Sequence, residues 1–157
     1  MQNGGERRTI TVVEEARVPA DGLVLGFGAV LPFPVALAVL WFADAAAGAV
    51  ALAAIEIYGA AILIFLGGVR RGLSFRTEGG PRAGQIGMAL WLFAAGLGAL
   101  ALATVPALGL LLAGYASLFI LDPLAARRGE APLYFARLRP WQMAIPVAVL
   151  ALVLLGL

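Results

Sequence analysis

Five apolar stretches, each near the length a helix needs to cross a bilayer, alternate along this chain with short segments that hold almost all of its charge. A membrane-spanning helix needs about 20 residues, each advancing about 1.5 Å. Runs of that kind cover about residues 23–42, 45–69, 85–103, 107–121 and 141–157. They predict an all-α, polytopic membrane protein: a compact five-helix transmembrane bundle formed by residues 22–157. Composition agrees, since 62% hydrophobic residues and a mean hydropathy of +0.98 lie outside the range of soluble domains. Residues 1–21 mix Glu6, Arg7, Arg8, Glu14, Glu15, Arg17 and Asp21 before any apolar run begins, which predicts a solvated tail and not a secretory signal.

Orientation follows from the arginines, because Lys and Arg in short loops are retained on the cytoplasmic side. Arg7, Arg8 and Arg17 lie in the tail, Arg70, Arg71, Arg76 and Arg82 about the second loop, and Arg127, Arg128, Arg137 and Arg139 in the fourth. Five spans bring these three segments to one face and leave the tight turns at Asp44 and Thr104 on the other, so the N-terminus is expected in the cytoplasm. Trp41 and Trp141 fall where aromatic rings anchor span ends, and residues 131–139 (APLYFARLR) read as lying along the cytoplasmic surface.

The residue inventory excludes much chemistry. The chain has no Cys, His or Lys, and so lacks the usual ligands for haem, iron–sulfur clusters or zinc, and lacks an amine for a Schiff base. No cofactor is expected. Ser74 and Ser117 have no histidine partner, and no GxSxG, P-loop or GxGxxG pattern occurs, so the protein is read as a non-enzyme. The arginines form no basic stripe with interleaved aromatics, so nucleic acid is not an expected partner. Lysine-free, Arg/Ala/Gly-rich usage resembles a high-GC bacterial genome, which places the expected location in a bacterial inner membrane.

Glu56 is the sharpest candidate, an acid near the middle of the second span where a charge costs about 2.5–3.5 kcal/mol. It is expected to face the bundle or a partner in its neutral form and to donate a hydrogen bond, with Tyr115 and Ser117 at similar depth. Its alternatives are a proton or cation site and a structural hydrogen bond within the bundle or to a neighbouring subunit. Pro32 and Pro34 interrupt the first span, giving either a kink or the broken helix of a transporter site. Asp122, beside Pro123, is read as ending the fourth span, free to pair with Arg70 or Arg137 or to stand as an interfacial charge. The cluster of Arg70, Arg71, Asp122, Arg127, Arg128, Arg137 and Arg139 is accounted for by topology, with anionic lipid head groups as the other reading. Gly22–Gly26 and Gly68–Gly72 have GxxxG spacing, and Tyr58 and Tyr115 each stand twelve residues before an arginine pair, a faint trace of repeated hairpins.

Tyr58 to Gly72 (YGAAILIFLGGVRRG) resembles the "YGA-IL-FLGG" stretch of an uncharacterised family of small multi-pass membrane proteins, which includes mitochondrial transmembrane protein 69 and bacterial homologues. Leu31-Pro32-Phe33, Leu121-Asp122, Ala131-Pro132 and Arg137-Leu138-Arg139 extend the likeness over nearly the whole membrane domain. Arg71 stands in place of a usual tryptophan and Ile64 in place of a usual serine. The resemblance implies a helical inner-membrane protein and carries no known activity.

The expected function is therefore that of a non-catalytic accessory or assembly subunit, packing against a larger bioenergetic complex or against itself. Its expected partners are membrane lipid and other membrane subunits or a second copy. The alternative is a small transporter or channel using Glu56 next to the proline-broken first helix.

Overall fold

The computed structural model describes residues 17–157. Among them six helices follow in order: α1 (Ala20–Gly28), α2 (Pro32–Phe42), α3 (Ala45–Ser74), α4 (Ala83–Ala99), α5 (Thr104–Arg127) and α6 (Phe135–Gly156). The first expected span is one apolar rod, Ala20–Phe42, broken into α1 and α2. That rod, α3, α5 and α6 are each long and apolar enough to cross a membrane. The 17 residues of α4 reach about 25 Å, slightly less than a hydrocarbon core of about 30 Å.

The surface has the polarity that lipid demands. Val24, Phe42, Val50, Ile57, Phe65, Leu90, Leu97, Val105, Ile120 and Leu155 are all exposed, so every helix turns large apolar side chains outward. A soluble monomer does not carry an apolar exterior of this extent.

Glycine sets how closely the helices approach. A Cβ at Gly67 would lie 2.9 Å from the Ala89 carbonyl oxygen, and one at Gly96 would lie 2.7 Å from that of Ala60. These contacts fix the antiparallel register of α3 and α4. On the other side of α3, Gly114 of α5 sits under Leu63, whose Cδ1 would be 2.5 Å from an added Cβ. Without a hydrophobic drive between helices in lipid, such close backbone contact is the main source of association. The GxxxG pairs contribute differently: Gly68 and Gly72 face open space, whereas Gly26 meets Leu138 and Gln142 of α6.

Several expected boundaries move. The helix of the second expected span runs past Arg70-Arg71, since α3 continues to Ser74. Nor does Asp122-Pro123 end the helix of the fourth expected span: α5 runs through Pro123 to Arg127. Proline is tolerated inside membrane helices, where neighbouring groups satisfy the carbonyl it leaves free. The 131–139 segment is also not a surface strip throughout, since α6 begins at Phe135, and Phe135, Leu138 and Arg139 are buried.

Candidate functional site: a buried ion cluster tied to the broken helix

Asp122 is the pivot of the polar interior, only 1% exposed and flanked by two buried arginines. Arg70 Nη2 of α3 lies 2.8 Å from Oδ1, and Arg139 Nε of α6 lies 3.1 Å from Oδ2. The carboxylate therefore joins three helices that are far apart in sequence. Burying charge is costly unless it is paired, and here one carboxylate serves two guanidinium groups. Arg139 gains further support from the ring of Phe135, whose centroid is 4.4 Å from its guanidinium carbon.

From Arg139 the polar chain continues toward the break in the first span. Arg139 Nη1 donates to Gln142 Oε1 at 3.0 Å, and Gln142 Nε2 donates to the Gly26 carbonyl at 2.7 Å. The reason the carbonyl is available lies in the sequence. Pro32 and Pro34 supply no amide donors, and the backbone between α1 and α2 tightens: Val30 N bonds to Phe27 and Phe33 N bonds to Val30. Gly26 and Ala29 thus lose their usual donors four residues on. Gln142 takes up the first, and the Tyr58 hydroxyl takes up the second at 2.8 Å.

Phe33 stands at the centre of this arrangement. Its ring packs edge-on against Tyr58 at 6.0 Å and Tyr115 at 5.3 Å between centroids. The Tyr115 hydroxyl donates to the Gly59 carbonyl at 3.0 Å. The paired tyrosines of the faint repeat thus play related parts, each donating to a backbone carbonyl. Their arginine pairs do not, because Arg70 is buried in the ion cluster while Arg127 and Arg128 are exposed.

The candidate partners of Glu56 lie elsewhere. Tyr115 is committed to Gly59, and Ser117 donates to the Gly114 carbonyl and accepts from Trp91 Nε1. With Gly96 over Ala60 and Gly67 over Ala89, the α3–α4 register sets Glu56 opposite Leu100, at the turn into α5. Its side chain is half-buried, and its buried Oε1 has no hydrogen-bond partner among the described residues. The cavity beside the proline break, about 150 Å³, is lined by Pro32, Phe33, Ala36, Ala54, Ile55 and Tyr58, and Glu56 is not among them.

Of the arginine cluster, Arg70 and Arg139 meet Asp122, whereas Arg137, the other expected partner, is exposed. Arg71 turns to the Ser74 hydroxyl and lies over the Phe75 ring. Sequence reasoning did not single out Gln142. The signal was present, since Gln142 is the one polar side chain in the apolar run 141–157.

A family model described as "Protein of unknown function (DUF3429)" matches residues 18–155, which takes in the break, the ion cluster and all six helices but for the last residue of α6. The chain belongs to the DUF3429 family. No curated protein and no solved structure matches it. In this DUF3429 protein the chemistry assembled is that of a clasp: Tyr58 of α3 and Gln142 of α6 hold the carbonyls freed at the α1–α2 break, and Asp122 pairs the arginines that α3 and α6 bury. Asp122, Glu56 and Asp44 occupy separate levels of the bundle, so they share no substrate position.

Proposed function

We propose that this DUF3429 protein is a non-catalytic membrane subunit or assembly factor that packs against another membrane protein or a second copy of itself. The observation that carries the reading is Glu56. A half-buried acid in a span, whose buried Oε1 pairs with no described residue, calls for a hydrogen-bond partner at the part of its carboxyl that stays accessible. The short connections between helices support the same reading. So does the resemblance to the family of mitochondrial transmembrane protein 69, which points to an energy-transducing membrane. On this reading the membrane is a bacterial inner membrane and the arginine-bearing end is cytoplasmic, in keeping with the retention of Arg in cytoplasmic loops.

The transport alternative is served less well by the geometry, because Glu56 stands at the α4–α5 turn and Tyr58, not Glu56, engages the broken helix.

The test is a photo-crosslinking residue at exposed Ile57, next to Glu56, in membranes solubilised with a gentle detergent. A crosslinked species and a native-gel band larger than the monomer are expected, weakened by Glu56→Leu and retained in Glu56→Gln. A chain that migrates alone in every mild detergent and yields no crosslink would refute the proposal.

A further inference from the structure

At the arginine-bearing end, a cavity of about 330 Å³ opens between the start of α4 and the end of α5. Arg70, Arg82 and Arg128 line it, with Glu130 as the one acid among the described residues that line it. Glu130 is engaged by Arg82 at 3.1 Å, and behind the wall Asp122 is shared by Arg70 at 2.8 Å and Arg139 at 3.1 Å, so the four arginines exceed the two acids by two charges. Arg70 is more than nine-tenths buried, and its Nε has no hydrogen-bond partner among the described residues. Gly84 forms part of the floor, where an added Cβ would meet nothing within 4 Å. The remaining wall is apolar, made by Met88, Leu121 and Leu124, and the two leucines are exposed on the outer surface.

We propose that this cavity binds the phosphate of an anionic phospholipid head group. The guanidinium groups of Arg70, Arg82 and Arg128 provide charge-assisted donors suited to phosphate oxygens. The amides at the start of α4 add a favourable dipole beside Gly84. A lipid, in preference to free phosphate, is indicated by the apolar flank: Leu121 and Leu124 carry the cavity onto the lipid-facing side of α5, where acyl chains would lie. This inference is independent of the partner proposed at Glu56.

Native mass spectrometry of the detergent-purified full chain tests it, with phosphatidylglycerol, phosphatidylcholine and inorganic phosphate as separate probes. Phosphatidylglycerol is expected to bind at least about tenfold more tightly than phosphatidylcholine, since the latter offers no net negative charge. Arg82→Gln with Arg128→Gln, both exposed positions, should weaken it about tenfold or more. Gly84→Leu should do the same with every arginine intact, by filling the cavity. Equal binding of the two lipids, or unchanged binding in the double arginine variant, would overturn the site even if Gly84→Leu failed to fold. Displacement of phosphatidylglycerol by inorganic phosphate at matched concentration would overturn the lipid assignment in favour of a free-phosphate site.

Discussion

The Gln142 side chain donates to the Gly26 carbonyl at 2.7 Å across a sequence separation of 116 residues, so that the last helix repairs the break in the first. The same amide accepts from Arg139, which holds Asp122. Helix repair and ion cluster are therefore one connected structure.

Gln142→Leu removes both bonds while keeping the volume close to that of the native side chain. Intramembrane hydrogen bonds are worth about 0.6–2 kcal/mol each, so a loss of about 1–3 kcal/mol is expected. Detergent unfolding of the purified variant measures it, and an unchanged transition would show that the Gly26 carbonyl has no need of Gln142.

The two tyrosines should differ although both lose one hydroxyl. Tyr58→Phe strands the Ala29 carbonyl, whose helical donor has moved to Val30, whereas Tyr115→Phe leaves the Gly59 carbonyl with its own helical bond. Tyr58→Phe is expected to cost about 1 kcal/mol or more and Tyr115→Phe about half of that. The reverse order in parallel unfolding curves would contradict this description of the break.

Asp122→Asn leaves Arg70 and Arg139 buried with no counter-charge, a change that typically costs about 3–5 kcal/mol. Adding Arg139→Gln should recover part of the loss, because one uncompensated charge disappears. Membrane-inserted yield and unfolding free energy of the two variants and Arg139→Gln alone form a double-mutant cycle. Additive effects would mean that the residues act separately.

Glycine substitutions should divide sharply by position. Gly96→Ala forces a methyl against the Ala60 carbonyl and Ile64, and a penalty of about 1–3 kcal/mol is expected. Gly68→Ala and Gly72→Ala meet no atom within 4 Å and should stay within about 0.5 kcal/mol. A large effect at Gly68 or Gly72 in the purified protein would reveal a packed face there.

How much of this was written in the linear order of residues depends on the range of the forces involved. Apolar length and the placement of arginines act locally and additively, so the all-helical membrane class and the meeting of the second and fourth arginine-bearing segments at one end were readable from the chain, whereas Arg7 and Arg8 of the expected tail lie outside the described residues. The break at Pro32 and Pro34 was readable for the same reason, since missing amides weaken a helix wherever they fall. The course of α5 through Pro123 was not, because whether a freed carbonyl ends a helix depends on what neighbours surround it.

Partner choice belonged to the tertiary structure. Asp122 meets Arg139 and not Arg137 because the turn of α6 carries one arginine inward and the other outward. Glu56 has neither Tyr115 nor Ser117 because the glycine contacts that set the helix register place it at the α4–α5 turn. A sequence states which side chains must find partners in lipid; only close packing, with its fixed registers and rotations, decides which ones they find.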